Sequence, residues 1–67
     1  MNATTATRTF LISAMGLEGG ETLHYNNTDF SVVTAEAGER YTRVYYAAAF
    51  GGMDFLVFRN TDMVTVS

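Results

Sequence analysis

Thr34-Ala35-Glu36-Ala37-Gly38-Glu39-Arg40-Tyr41-Thr42-Arg43-Val44-Tyr45-Tyr46-Ala47-Ala48-Ala49-Phe50-Gly51-Gly52 is the stretch on which the fold turns. At helical spacing Ala37, Tyr41, Val44, Tyr45 and Ala48 form one apolar stripe. Glu36–Arg40 and Glu39–Arg43 are i,i+4 pairs with the acid on the N-terminal side, the favourable order. Thr34 can cap the start, and Gly51 stands where a left-handed terminating residue is wanted. Gly38 weakens such a helix by roughly 1 kcal/mol relative to Ala. The competing reading is a strand from Glu39 to Ala49, favoured by Tyr41, Val44, Tyr45 and Tyr46. Its alternation is poor, and three consecutive alanines suit a helix better. The spacing therefore predicts a helix over 35–50.

Around this segment the chain is written in strand patterns. Arg8 to Met15 alternates, with Phe10, Ile12 and Ala14 on one face and Leu11, Ser13 and Met15 on the other. Gly16 and Gly19-Gly20 bracket a loop, and Glu21 to Tyr25 reads as a short second strand. Asn26-Asn27-Thr28-Asp29 is turn chemistry, because Asn and Asp side chains bond to their own local backbone. Phe30 to Thr34 is either a third strand or the second resuming after a bulge. Asp54 to Arg59 is a clear strand, with Phe55 and Val57 pointing one way and Leu56 and Phe58 the other. Asn60-Thr61 turns the chain, and Asp62 to Ser67 returns with Val64 and Val66 inward. The fold class expected is α+β: an antiparallel sheet of four to five strands with one helix packed on one face, in the order β-β-(β)-α-β-β.

A chain of 67 residues makes one domain, read as residues 7–67 behind a flexible tail at 1–6. So small a domain is marginal alone and usually adds disulfides, a metal or a partner. There is no Cys and a single histidine, His24, which excludes disulfides, thiolate metal sites and histidine-rich metal sites. No cofactor is expected. No apolar run approaches the roughly 20 residues that span a bilayer, and the N-terminal residues lack the pattern of a signal peptide. The expected location is cytoplasmic.

Phe55-Leu56-Val57-Phe58 is apolar on both sides, and Leu11 and Met15 oppose Phe10 and Ile12 in the same manner. Strands apolar on both faces normally have both faces covered. One helix covers one face, so the other cover must come from sheet curvature, a second copy or a partner. A homodimer or an obligate partner surface is the expectation.

Candidate binding residues come from the same helical reading. On a wheel at about 100° per residue, Tyr46 and Phe50 lie opposite the core stripe, beside Glu39 and Arg43. Aromatic residues and Arg are enriched in binding hot spots, which makes Tyr46, Phe50 and Arg43 candidate anchors. The bland alternative folds Phe50 under the helix end against Met53 and lays Tyr46 along a strand. Net charge is −3, and between Thr9 and Glu39 there is no Lys or Arg. Glu18, Glu21, Asp29, Glu36 and Glu39 all fall there, a set suited to a protein partner with a basic surface or to an ordinary solvated face. Direct nucleic-acid binding is not expected, because Arg40 and Arg43 have Glu partners and the net charge repels phosphate. Catalysis is not expected either. His24 needs a positioned nucleophile and an orienting acid, and its near neighbours Glu21 and Tyr25 supply neither. Ser13, Ser31 and Ser67 sit in no nucleophile-elbow context.

In size, acidity, lack of catalytic groups and compact sheet-plus-helix pattern from Arg8 to Ser67, the chain resembles the small single-domain proteins that phages encode to block host defence, the anti-CRISPR class among them. That resemblance implies a steric inhibitor occupying a surface of a larger nucleoprotein complex. It transfers no site residues, since that class shares no common motif. The leading expectation is a non-enzymatic protein-binding module acting as inhibitor or modulator. The alternatives are a structural subunit that builds a homo-oligomer and a small-ligand sequestering protein.

Overall fold

The computed structural model describes residues 8–67. They form six strands: β1 Phe10–Ser13, β2 Thr22–Tyr25, β3 Thr28–Ala37, β4 Tyr41–Ala47, β5 Met53–Arg59 and β6 Met63–Val66. The expected tail at residues 1–6 lies outside the described residues.

The helix expected over 35–50 is not formed, and the fold is mostly β rather than α+β. Among the described residues the sole helical element is one 3-10 turn at Ala14–Gly16. The disputed stretch is instead the end of β3, a hairpin turn, β4 and a second turn. Tyr, Thr and Val dominate β4, and these residues fit a pleated, half-buried surface. The alternation is real but disguised. Thr42, Val44 and Tyr46 point inward while Tyr41, Arg43 and Tyr45 point out, and the inward Thr42 is fully buried. A polar residue at that inner position is tolerable because its hydroxyl donates to Asn60 Oδ1 at 2.8 Å. The expected Glu36–Arg40 and Glu39–Arg43 pairs are not formed: Glu39 and Arg40 lie in the β3–β4 turn, and Glu36 lies directly across from Arg43 in the β3–β4 ladder. Gly51 does adopt a left-handed conformation (φ 95°), but in the β4–β5 turn, where its N–H donates to the Ala48 carbonyl.

All pairings are antiparallel, in the order β1-β6-β2-β3-β4-β5. This order forces curvature. In a flat sheet β5 and β6 would lie four strand spacings apart, roughly 19 Å. Residues 60–62 alone join them and can span only about 14 Å from Arg59 to Met63. The sheet must therefore roll until the end of β5 meets the start of β6. The bend is made in β3, where a bulge between Val32 and Thr34 separates two ladders. Residues 28–31 of β3 pair with β2, and residues 32–37 pair with β4. The 3-10 turn packs against β3, β4 and β5 from inside the roll.

Leu23, Val32, Val44, Phe58, Val64 and Val66 line the concave face, and Ala14 and Leu17 from the turn close it. Tyr25 meets Phe58 edge-on at 5.1 Å between ring centroids, and Phe30 meets Tyr46 at 4.6 Å. The inner apolar face is thus covered by the sheet's own curvature, one of the three covers the sequence left open. Asn60 ties the closing corner together. Its amide donates to the Arg40 carbonyl, its carbonyl accepts from Met15 N–H, and its Nδ2 donates to the Gly38 carbonyl.

Candidate interaction face and strand edge

The convex side of β3, β4 and β5 carries a continuous set of large side chains. Phe55 and Val57 from β5 and Tyr41 from β4 are each about half exposed, at 46%, 52% and 56%. Between them the Arg43 guanidinium lies over the Phe55 ring, 5.0 Å from its centroid. Arg43 Nη1 donates to the Tyr45 hydroxyl at 3.1 Å, and that hydroxyl donates to Glu36 Oε1 at 3.2 Å. The Tyr45 hydroxyl holds the Arg43 pKa above its ordinary value, and Glu36 adds to the effect. The chain Phe55–Arg43–Tyr45–Glu36 therefore fixes a charged guanidinium among aromatic rings, an arrangement typical of binding anchors.

This face ends at an open strand edge. β5 is terminal in the sheet order, so one side of its backbone is unpaired. Which groups face outward follows from two hydrogen bonds. Phe55 N–H donates to Asp54 Oδ1 at 2.8 Å, and Arg59 N–H donates to Asp62 Oδ2 at 2.9 Å. Neither amide belongs to the ladder with β4, and in an antiparallel pair every second residue has the same orientation. Val57 shares that orientation, and its N–H has no acceptor among the described residues. Aspartates at positions 54 and 62 thus blunt the edge, as natural edge strands often do, and leave a gap at Val57. Beside the edge runs a groove of about 480 Å³, lined by Tyr25, Val57, Phe58, Met63 and Asp62 among others.

The residues singled out from sequence are dispersed by the strand fold. Arg43 and Glu36 do share the convex face, but Tyr46 points inward against Phe30 and is not exposed beside Phe50. Phe50 stands fully exposed in the β4–β5 turn. Glu39 is exposed in the β3–β4 turn, and Glu18 is exposed in the loop before β2. Glu21 is turned back on that loop, accepting the N–H groups of Glu18 at 3.0 Å and Gly19 at 2.7 Å. Burial alone would raise its pKa, but these amides and its own outweigh burial and hold it below the ordinary carboxylate value. Asp29 pairs with His24 at 2.7 Å. Asp29 and Glu36 sit toward opposite ends of the ten-residue β3, so the five acids form no single patch.

Sequence reasoning passed over Tyr41, Tyr45, Phe55 and Val57 as surface residues. The alternation of 53–59 already placed Phe55 and Val57 on one side. Assigning Tyr41 and Tyr45 to the stripe of a helix hid their part in the same face. Among the described residues no helix is long and apolar enough to cross a membrane. Compared with protein-family models, curated proteins and solved structures, the chain matches none.

Proposed function

We propose that this chain is a non-enzymatic protein-binding module, an inhibitor or modulator that occupies a surface of a larger assembly. Its occupant is an extended, basic segment of a partner protein that adds as a strand to β5. The observation that carries this reading is the unpaired Val57 N–H at the edge of β5, set between a groove and an exposed aromatic face. Strand addition draws affinity from main-chain hydrogen bonds and specificity from side-chain pockets on alternate residues. Charge selects a basic segment. The chain carries −3 overall, and the carboxylates of Asp54 and Asp62 stand along the edge itself. A target of the nucleic-acid-handling, host-defence kind, as the resemblance in size and acidity to phage anti-defence proteins implies, would offer such basic segments.

Val57→Pro is the discriminating variant, because it removes an N–H that the ladder with β4 does not use. The partner captured by the wild-type chain should be basic, should dissociate as salt is raised, and should be lost by Val57→Pro with the circular dichroism spectrum unchanged. An acidic partner, or one that Val57→Pro still retains, would refute the edge. Homodimerisation through β5 is the competing outcome, read as a mass that rises with concentration and returns to monomer in Val57→Pro.

A further inference from the structure

On the convex side of β2 and β6, three side chains form a hydrogen-bonded relay. Ser67 Oγ lies 2.7 Å from His24 Nε2, and His24 Nδ1 lies 2.7 Å from Asp29 Oδ1. One neutral tautomer satisfies both contacts: Nδ1–H donates to the carboxylate, and the Nε2 lone pair accepts the serine O–H. We propose that Ser67 is an acyl-accepting nucleophile, with His24 as its general base and Asp29 as the positioning residue that orients the imidazole. The relay of nucleophile, base and orienting acid is recognised by geometry and not by order in the chain.

Backbone pairing fixes all three members. His24 and Asp29 are directly opposed in the β2–β3 hairpin, whose two-residue turn sets Asn26 and Asn27 at φ 54° and 60°. Such a turn locks the register of its hairpin. Ser67 exchanges two backbone hydrogen bonds with Thr22, each 2.9 Å, which makes it the diagonal neighbour of His24 across β2 and β6. The His24 side chain is 29% exposed and that of Asp29 72%, so solvent and small reagents reach the relay. A groove of about 310 Å³ lined by His24, Asp29 and Thr65 runs beside it.

The acyl donor must carry a good leaving group. Backbone N–H groups commonly stabilise the oxyanion of acyl transfer, but the Ser67 N–H is already committed to the Thr22 carbonyl. Activated aryl esters and thioesters fit this limit. In the step, Ser67 Oγ bonds to the acyl carbon while its proton passes to His24 Nε2. The bond from the acyl carbon to the leaving oxygen or sulfur then breaks, and that atom departs with the electron pair and takes the proton from His24. The products are O-acyl-Ser67 and the free phenol or thiol. A single acylation of this kind is a modification, separate from the docking proposed for β5, and it needs no partner.

Incubating the full chain with p-nitrophenyl acetate tests it. The expected result is a burst of p-nitrophenolate equal to the chain concentration, with the acetyl group mapped by mass spectrometry to Ser67. His24→Gln should slow the burst by on the order of 10²-fold, the lower range for a general base. Asp29→Asn should be slower than wild type and Asp29→Ala slower still, with the melting temperature unchanged across this exposed pair. Ser67→Ala should abolish the burst, and it decides the matter even if His24→Gln fails to fold. Acetylation at Ser13, Ser31 or His24 itself, an undiminished rate in His24→Gln, or a burst that survives in Ser67→Ala would each overturn the assignment.

Discussion

Gly19 is where a single methyl group should do the most damage outside the core. The loop before β2 passes so close to β3 that a Cβ at Gly19 would stand 2.4 Å from the Val33 carbonyl oxygen, and Gly19 itself sits at φ 128°. Gly20, at φ 94°, has nothing within 4 Å of the same added atom. The two Ala variants therefore share backbone strain and differ in collision. Strain at such a φ costs about 1–3 kcal/mol, and forcing an extra carbon against packed atoms adds about 1–3 kcal/mol. The obstacle is backbone at the bulge of β3, which cannot swing aside as a flexible side chain would. Relief by moving the loop threatens the bond from Gly20 N–H to the Val32 carbonyl (2.8 Å) and the one from Gly19 N–H to Glu21 (2.7 Å). Gly19→Ala should thus be less stable than Gly20→Ala by about 2 kcal/mol, the middle of that collision range. For a domain of this size that difference lowers the melting temperature by about 8–16 °C. Urea denaturation followed by circular dichroism, with thermal melts alongside, measures both variants under one condition. Equal stabilities within about 0.5 kcal/mol, the level of an ordinary surface change, would refute the close approach of this loop to the bulge.

Three further variants probe the closing corner and the loop before β2. Asn60→Ala should cost about 2–3 kcal/mol in urea unfolding, because it strands the fully buried Thr42 hydroxyl and frees the Gly38 carbonyl. Thr42→Val should cost only about 1 kcal/mol, since the amide it leaves behind is partly open to water; the reverse order would contradict the buried role of that hydroxyl. The Glu21 carboxyl has a lowered pKa in the folded chain. Its contribution is therefore present above the unfolded value and disappears as pH falls through the folded one. Glu21→Gln should flatten the acid limb of a stability–pH curve, and a superimposable curve would show that the carboxylate does not hold the loop.

Much of the strand layout could be read from the residues themselves. The alternation of 54–59 and 62–67, the turn at Asn26-Asn27 and the inward Val64 and Val66 all reflect local pattern, and local pattern is what a sequence displays. The segment 35–50 misled for a specific reason. Thr42, buried and satisfied by Asn60 eighteen residues away, breaks the apolar alternation that would mark β4 as a strand. The i,i+4 spacings of Glu36–Arg40 and Glu39–Arg43 meanwhile satisfy a helix by coincidence. Tertiary hydrogen bonding of one hydroxyl thus decided between two local readings. The convex face was half legible: Arg43 and Glu36 were singled out, but paired along a helix with Glu39 and Arg40 and not with each other across two strands. The relay of Ser67, His24 and Asp29 had no local signature, because forty-three positions separate Ser67 from His24 and only the β2–β6 pairing unites them.

The strand order has a consequence for how the chain comes into being. β1 pairs only with β6, so Phe10–Ser13 has no ladder to join until Met63–Val66 has emerged from the ribosome. β2 through β5 can meanwhile form as successive hairpins, closing short loops as they appear. The nascent polypeptide therefore carries Phe10, Leu11 and Ile12 without a strand partner while β2 to β5 are made, and the arrival of β6 supplies their ladder.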